Sequence, residues 1–174
     1  MENEYGLSMA TWQRLSEERC VNGPDDVPKE IMGLSTKKLN DISTTIMLER
    51  MAKNPKHWFY TGDVASKCKR FLTLSDEEMA SCSSVLTKFG PYAVPSYMKT
   101  QIGRIKSSAD LVGKPCDPEA TEELKRCRDE ELLVACSEMA SLGLACRKLD
   151  MDWAVLEEVR CDMLLELGSR YMVA

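Results

Sequence analysis

From Asp117 to Leu149 apolar side chains return every three or four positions: Leu132, Ala135, Cys136, Met139, Leu142, Cys146 and Leu149. That period belongs to an α-helix with one buried face. Asp117 is placed to cap it, Pro118 to fill its first position, and Glu119, Glu122 and Glu123 to sit at the positive end of its dipole. Gly143 lies inside the run and marks either a break or a close helix contact. A helix this long needs a partner surface, so the rest of the chain must supply it.

The rest is helical too. Leu7, Trp12, Leu15 and Arg19 pattern a short helix over 7–20, and Asn22-Gly23-Pro24-Asp25-Asp26 turns the chain. Ser35 or Thr36 caps a helix whose stripe is Leu39, Ile42, Ile46 and Met47, stopped by Asn54-Pro55. His57-Trp58-Phe59-Tyr60 reads as a short extended segment, and Thr61-Gly62-Asp63 restarts a helix with Val64, Cys68 and Phe71. Ser75-Asp76-Glu77-Glu78 matches a capping box. Met79, Cys82, Leu86 and Phe89 continue one helix from it, ended by Gly90-Pro91. Pro95-Ser96 opens a helix with Met98, Ile102 and Ile105, and residues 107–118 form a loop. Asp152 caps a last helix, with Leu156, Val159, Met163, Leu164 and Leu167, ending at Gly168. The expected fold is all-α, a compact bundle of about six or seven helices with short loops. Residues 1–62 are expected as a looser N-terminal helical segment and residues 63–174 as the helical core.

The chemistry that is missing narrows the function. There is one histidine, His57, and none of the phosphate-binding, zinc-protease or nucleophile-elbow motifs. A cysteine nucleophile would have to pair with His57, a juxtaposition that requires base, orienter and oxyanion site together. The acids around Glu119–Glu131 lack the inward Glu-x-x-His pattern of a carboxylate metal site and read as a solvated face. The sequence therefore suggests no catalytic residue, no metal and no cofactor. Eight cysteines contain no Cys-x-x-Cys spacing, and the N-terminal residues do not read as a secretory leader. Cys127, Cys136, Cys146 and Cys161 fall in helical patterns as small hydrophobes, which implies a reducing compartment. No membrane span is expected.

Binding residues are the remaining candidates. Trp58, Phe59 and Tyr60 are the densest aromatic run and the best partner anchor, with Tyr92 and Tyr97 beside the Gly-Pro turn as further contacts. Lys99, Arg104, Lys106 and Lys114 form a basic stretch that could meet nucleic acid. A net charge of -5 argues against a general nucleic-acid binder and leaves that reading as the alternative. The two apolar stripes of 120–149 would also suit self-association into a homo-oligomer.

The segment Ser137-Glu138-Met139-Ala140-Ser141-Leu142-Gly143-Leu144, then Asp150-Met151-Asp152, then the run from Val155 to Leu165, resembles the C-terminal helical region of the non-structural protein NSs of phleboviruses and related bunyaviruses. Upstream, Leu72-Thr73-Leu74-Ser75-Asp76, Val85-Leu86, Gly90-Pro91 and Pro95-Ser96 are similar to a second stretch of that family. The likeness covers about residues 72–167. This chain departs from the pattern in three places: the valine-to-cysteine spacing is shorter, no tryptophan precedes the Gly-Pro turn, and the Gly–Pro spacing is longer. The resemblance implies a non-enzymatic viral accessory protein that antagonises the interferon response. It would do so by binding a host signalling, transcription or translation factor, in the host cytoplasm or also in the nucleus. The alternative is an RNA-binding silencing suppressor or nucleocapsid accessory.

Overall fold

The structure is a computed structural model that describes residues 2–112 and 119–172, and the side chains of these except 108–112. In chain order the helices are α1 (Met9–Ser16), α2 (Thr36–Lys53), α3 (Trp58–Thr61), α4 (Val64–Phe71), α5 (Asp76–Ser81), α6 (Val85–Ala93), α7 (Tyr97–Val112), α8 (Glu122–Lys148) and α9 (Ala154–Tyr171). Two 3₁₀ turns, Pro24–Asp26 and Lys29–Ile31, bridge α1 to α2. Among the described residues there is no named strand, and seven helices have seven residues or more. The fold is all-α.

Most helices start where a short polar side chain can take a free amide. The hydroxyls of Ser8, Ser35, Ser75, Ser84 and Thr121 and the carboxylate of Asp63 each accept from an amide in the first turn of their helix. At Ser75 the box closes differently from the sequence pattern: its hydroxyl donates to the Glu78 carboxylate at 3.1 Å. The last helix is capped by Trp153, while Asp152, one residue earlier, accepts from the Ala154 amide. Between α8 and α9 the amides of Asp150 and Met151 return to the carbonyls of Arg147 and Cys146. This is a Schellman closure with Asp150, at φ 54°, in the left-handed position.

α8 is the spine. α4, α5, α6 and α9 pack on it, α2 lies against α6, and α7 lies against α6 and α9. The core includes Phe71, Phe89, Leu39, Ile42, Ile46, Leu156 and Leu167, all essentially inaccessible to water. Leu7, Leu15 and Ile31 belong to the same buried cluster, so the core is continuous across residue 62. The Gly33 amide also donates to the Ala93 carbonyl at 3.0 Å.

Several local expectations are corrected. His57–Tyr60 is not extended: Trp58–Thr61 is one helical turn, capped by the His57 ring. The helix expected from Ser75 to Gly90 is two, because Ser84 starts a new one and its amide bonds Glu138, 54 residues away. Gly90-Pro91 lies inside α6, which runs to Ala93. α7 continues to Val112 through part of the expected loop, and Lys114, Asp117 and Pro118 lie outside the described residues. α8 starts after Thr121, not after Asp117, and α9 passes through Gly168 to Tyr171. Gly143 neither breaks α8 nor meets a neighbour; a methyl group there would find no heavy atom within 4 Å. Cys68, Cys136 and Cys146 are buried free thiols, but Cys127 and Cys161 are exposed. Cys127 precedes the apolar face of α8, and Cys161 lies two positions from both Val159 and Met163 of the α9 stripe.

Candidate functional site

Asn54-Pro55 ends α2, and the chain folds back at once into α3. His57 Nδ1 accepts from the Phe59 amide at 3.2 Å, which fixes the turn and presents three successive aromatic rings. Trp58 packs edge-on against Phe71, with ring centroids 5.7 Å apart, and the Arg70 guanidinium lies over it. Phe59 meets Phe71 at 6.1 Å and Tyr60 at 5.2 Å. All three aromatics are half-buried. Trp58 is committed to the edge of the core, whereas Phe59 and Tyr60 line a cavity of about 280 Å³ between α2, α3 and α8.

The same cavity is lined by Met47 of α2 and Val134 of α8, which are 46% and 48% exposed. Met47 was expected in the core stripe, but it lies one position beyond Ile46 and points outward. Leu48 and Met51 extend the exposed apolar surface of α2. Arg50 borders the cavity while its guanidinium donates to the carbonyls of Leu15, Ser16 and Glu17. Burial pushes the Tyr60 phenol above its ordinary pKa, with the nearby Arg50 charge opposing.

Glu138 also lines the cavity. Its carboxylate accepts from the Ser84 amide at 2.9 Å and the Ser84 hydroxyl at 3.3 Å. Burial raises its pKa against the hydrogen bonds from Thr87 and Ser84. Ser84 and Glu138 also line a second groove, on the α7 side of α8.

Tyr92 and Tyr97 are corrected as surface contacts. They are 9% and 4% exposed and belong to the core. Because Pro91 does not end α6, Tyr92 is carried along the helix into the interior. Tyr97 opens α7 facing inward, its hydroxyl 3.2 Å from that of Thr87 and its ring against Gly90. Lys99, Arg104 and Lys106 are exposed on α7. No aromatic side chain among the described exposed residues of α7 offers a base a stacking platform.

His57 approaches Glu18, with 3.9 Å between Nε2 and Oε2, and no described cysteine hydrogen-bonds to it. Among the described residues no three His, Cys, Asp or Glu side chains are placed to hold a metal ion. No described helix is long and apolar enough to cross a membrane.

Sequence reasoning found Phe59 and Tyr60 and missed Met47, Val134 and Glu138 as their neighbours. A helical wheel of α2 that separates Met47 from Ile46 would have signalled the first. The others come from segments far along the chain. No protein-family model, curated protein or solved structure matches this chain.

Proposed function

We propose that this is a non-enzymatic viral accessory protein that antagonises host innate immunity by holding a host signalling, transcription or translation factor, in the host cytoplasm or also in the nucleus. The observation that carries the interaction reading is the cavity at α2, α3 and α8. Two half-buried aromatics there share the lining with two exposed apolar side chains. Aromatic anchors in a partly desolvated recess, beside an adaptable methionine, are what a partner's apolar side chain requires. The cavity favours a partner helix that inserts one apolar residue between Met47 and Val134 and lies along α2. The viral and interferon part of the reading rests on the resemblance of residues 72–167 alone.

The test is affinity capture of tagged protein from interferon-competent cells, with an interferon-β promoter reporter in parallel. One dominant host factor with reporter suppression supports the reading, provided Met47→Glu and Tyr60→Ala lose both while remaining folded by circular dichroism. Unchanged capture and suppression in folded variants remove this surface from the reading. Nuclease-sensitive capture of RNA-bound proteins would instead favour the nucleic-acid alternative.

A further inference from the structure

The second groove is the larger of the two that meet at Glu138. It has a volume of about 400 Å³ and lies between α6, α7, α8 and α9. Its floor is made of core residues: Met139, Leu142, Val159 and Met163 are each less than a tenth exposed and still line the recess. Protein interiors fill such space with side chains, and voids larger than a water are few. Here a recess remains over these side chains where α7 packs on α6 and α9, with Ile105 as an apolar wall. The volume falls in the range of small-molecule sites, which are mostly apolar with a few placed polar groups.

Among the described residues, two charged side chains line the groove. Glu138 already accepts two hydrogen bonds from Ser84 at the start of α6. Arg104 has no hydrogen-bond or ion-pair partner among the described residues, and it is exposed. Gln101, one turn earlier on α7, lines the same groove. A single unpaired guanidinium at the edge of an apolar trough selects one anionic group attached to an apolar body. Lys99 and Lys106 do not line it, so among the described residues the groove offers no row of cations to a polyanion.

We propose that this groove binds a free single-chain amphiphile with an anionic head, the head on Arg104 and the chain over Met139 and Met163. Methionine side chains have the flexibility to fit a chain of variable shape. The inference concerns a different surface from the partner cavity and does not depend on it.

The experiment uses the full chain with ¹³C-methyl-labelled methionine, followed by methyl NMR. Dodecanoate is titrated below its micelle concentration, with dodecanol and dodecylamine as arms sharing the same tail. The expected result is saturable shifts at Met139 and Met163, tightest for dodecanoate. Arg104→Ala, on an exposed helix face, weakens dodecanoate by about tenfold and leaves dodecanol unchanged. Ala135→Phe fills the trough and weakens all tails together. Equal binding of the amine and the carboxylate would overturn the proposal. So would shifts confined to surface methionines such as Met9 and Met47, with Met139 and Met163 unmoved. Co-sedimentation with anionic phospholipid vesicles, without dodecanoate binding, would overturn the free ligand in favour of a bilayer surface.

Discussion

The Lys88 ammonium, on a residue only 2% exposed, donates to the backbone carbonyl of Glu17 at 3.1 Å. Arg50 reaches the same carbonyl at 3.1 Å and also bonds those of Leu15 and Ser16. Two cations from distant helices thus satisfy the open carbonyls at the C-terminal end of α1, where the helix dipole is negative. Burial, reinforced by the charges of Arg50 and Arg14, lowers the Lys88 pKa from 10.5 to about 7.

A depressed lysine makes stability depend on pH with a defined sign. Below about pH 7 both folded and unfolded chains hold the proton, so folding bears the full cost of burying the charge. Between about 7 and 10.5 the unfolded chain binds more protons than the folded one, so stability rises with pH. Above about pH 9 the buried groups oppose this, because Cys136, Tyr92 and Tyr97 are pushed up to about 12 and the unfolded chain ionises first. Urea midpoints are expected to climb from pH 7 to a maximum in the mildly alkaline range. Lys88→Met is expected to flatten that climb and to be more stable at neutral pH by about 1–3 kcal/mol, Arg50 still holding the Glu17 carbonyl. An equal climb in Lys88→Met would show that another group causes it.

Gly143→Ala is expected to stabilise the protein by about 1 kcal/mol. The site is mid-helix, and the added methyl meets open space. A lower melting temperature would mean that the added methyl meets a neighbour in solution.

Tyrosine variants should divide by burial. Tyr97→Ala removes a core ring and is expected to cost about 3–5 kcal/mol, with partner capture lost through unfolding. Met47→Glu changes an exposed side chain and is expected to leave the melting temperature within a few degrees while reducing capture. Capture that survives Met47→Glu in a folded protein would place the partner elsewhere.

Asp129 is buried and accepts from both the Arg170 guanidinium and the Tyr171 hydroxyl, tying the end of α9 to α8. Asp129→Asn should destabilise by about 2 kcal/mol and fray that end of α9, visible as faster amide exchange after Leu167. Unchanged exchange there would mean that the ion pair contributes nothing to holding the helix.

Among the described cysteines, alkylation of the native protein followed by mass spectrometry should label Cys127 and Cys161 first, since both are exposed. Cys68, Cys136 and Cys146 should resist until unfolding, their thiols buried and pushed up in pKa. Early labelling of Cys136 would show that α8 and α9 part readily.

What could be read from the sequence was local. Ser35, Ser75 and Asp63 cap helices because a hydroxyl or carboxylate needs only its own chain two or three residues on. The 3–4 period located α8 and α9. The failures are non-local. Cys82, Leu86 and Phe89 keep helical spacing across a real break, which Ser84 makes with the help of Glu138, 54 positions away. Tyr92 and Tyr97 looked like turn residues because Gly90-Pro91 usually stops a helix. Here Pro91 sits near the end of a short helix whose surroundings bury it. The aromatic run was visible, but Val134 and Glu138 join it only through the packing of α8.

The central position of α8 also governs how the chain can be made. At 27 residues it is about 40 Å long, and α4, α5 and α6 rest on it although all three are synthesised earlier. While those helices leave the ribosome, Phe71 and Phe89 have no complete surface to bury against. The nascent chain covers them only in part, with Trp58, Phe59 and α2, until residue 148 has emerged, and it should be a chaperone client throughout that interval.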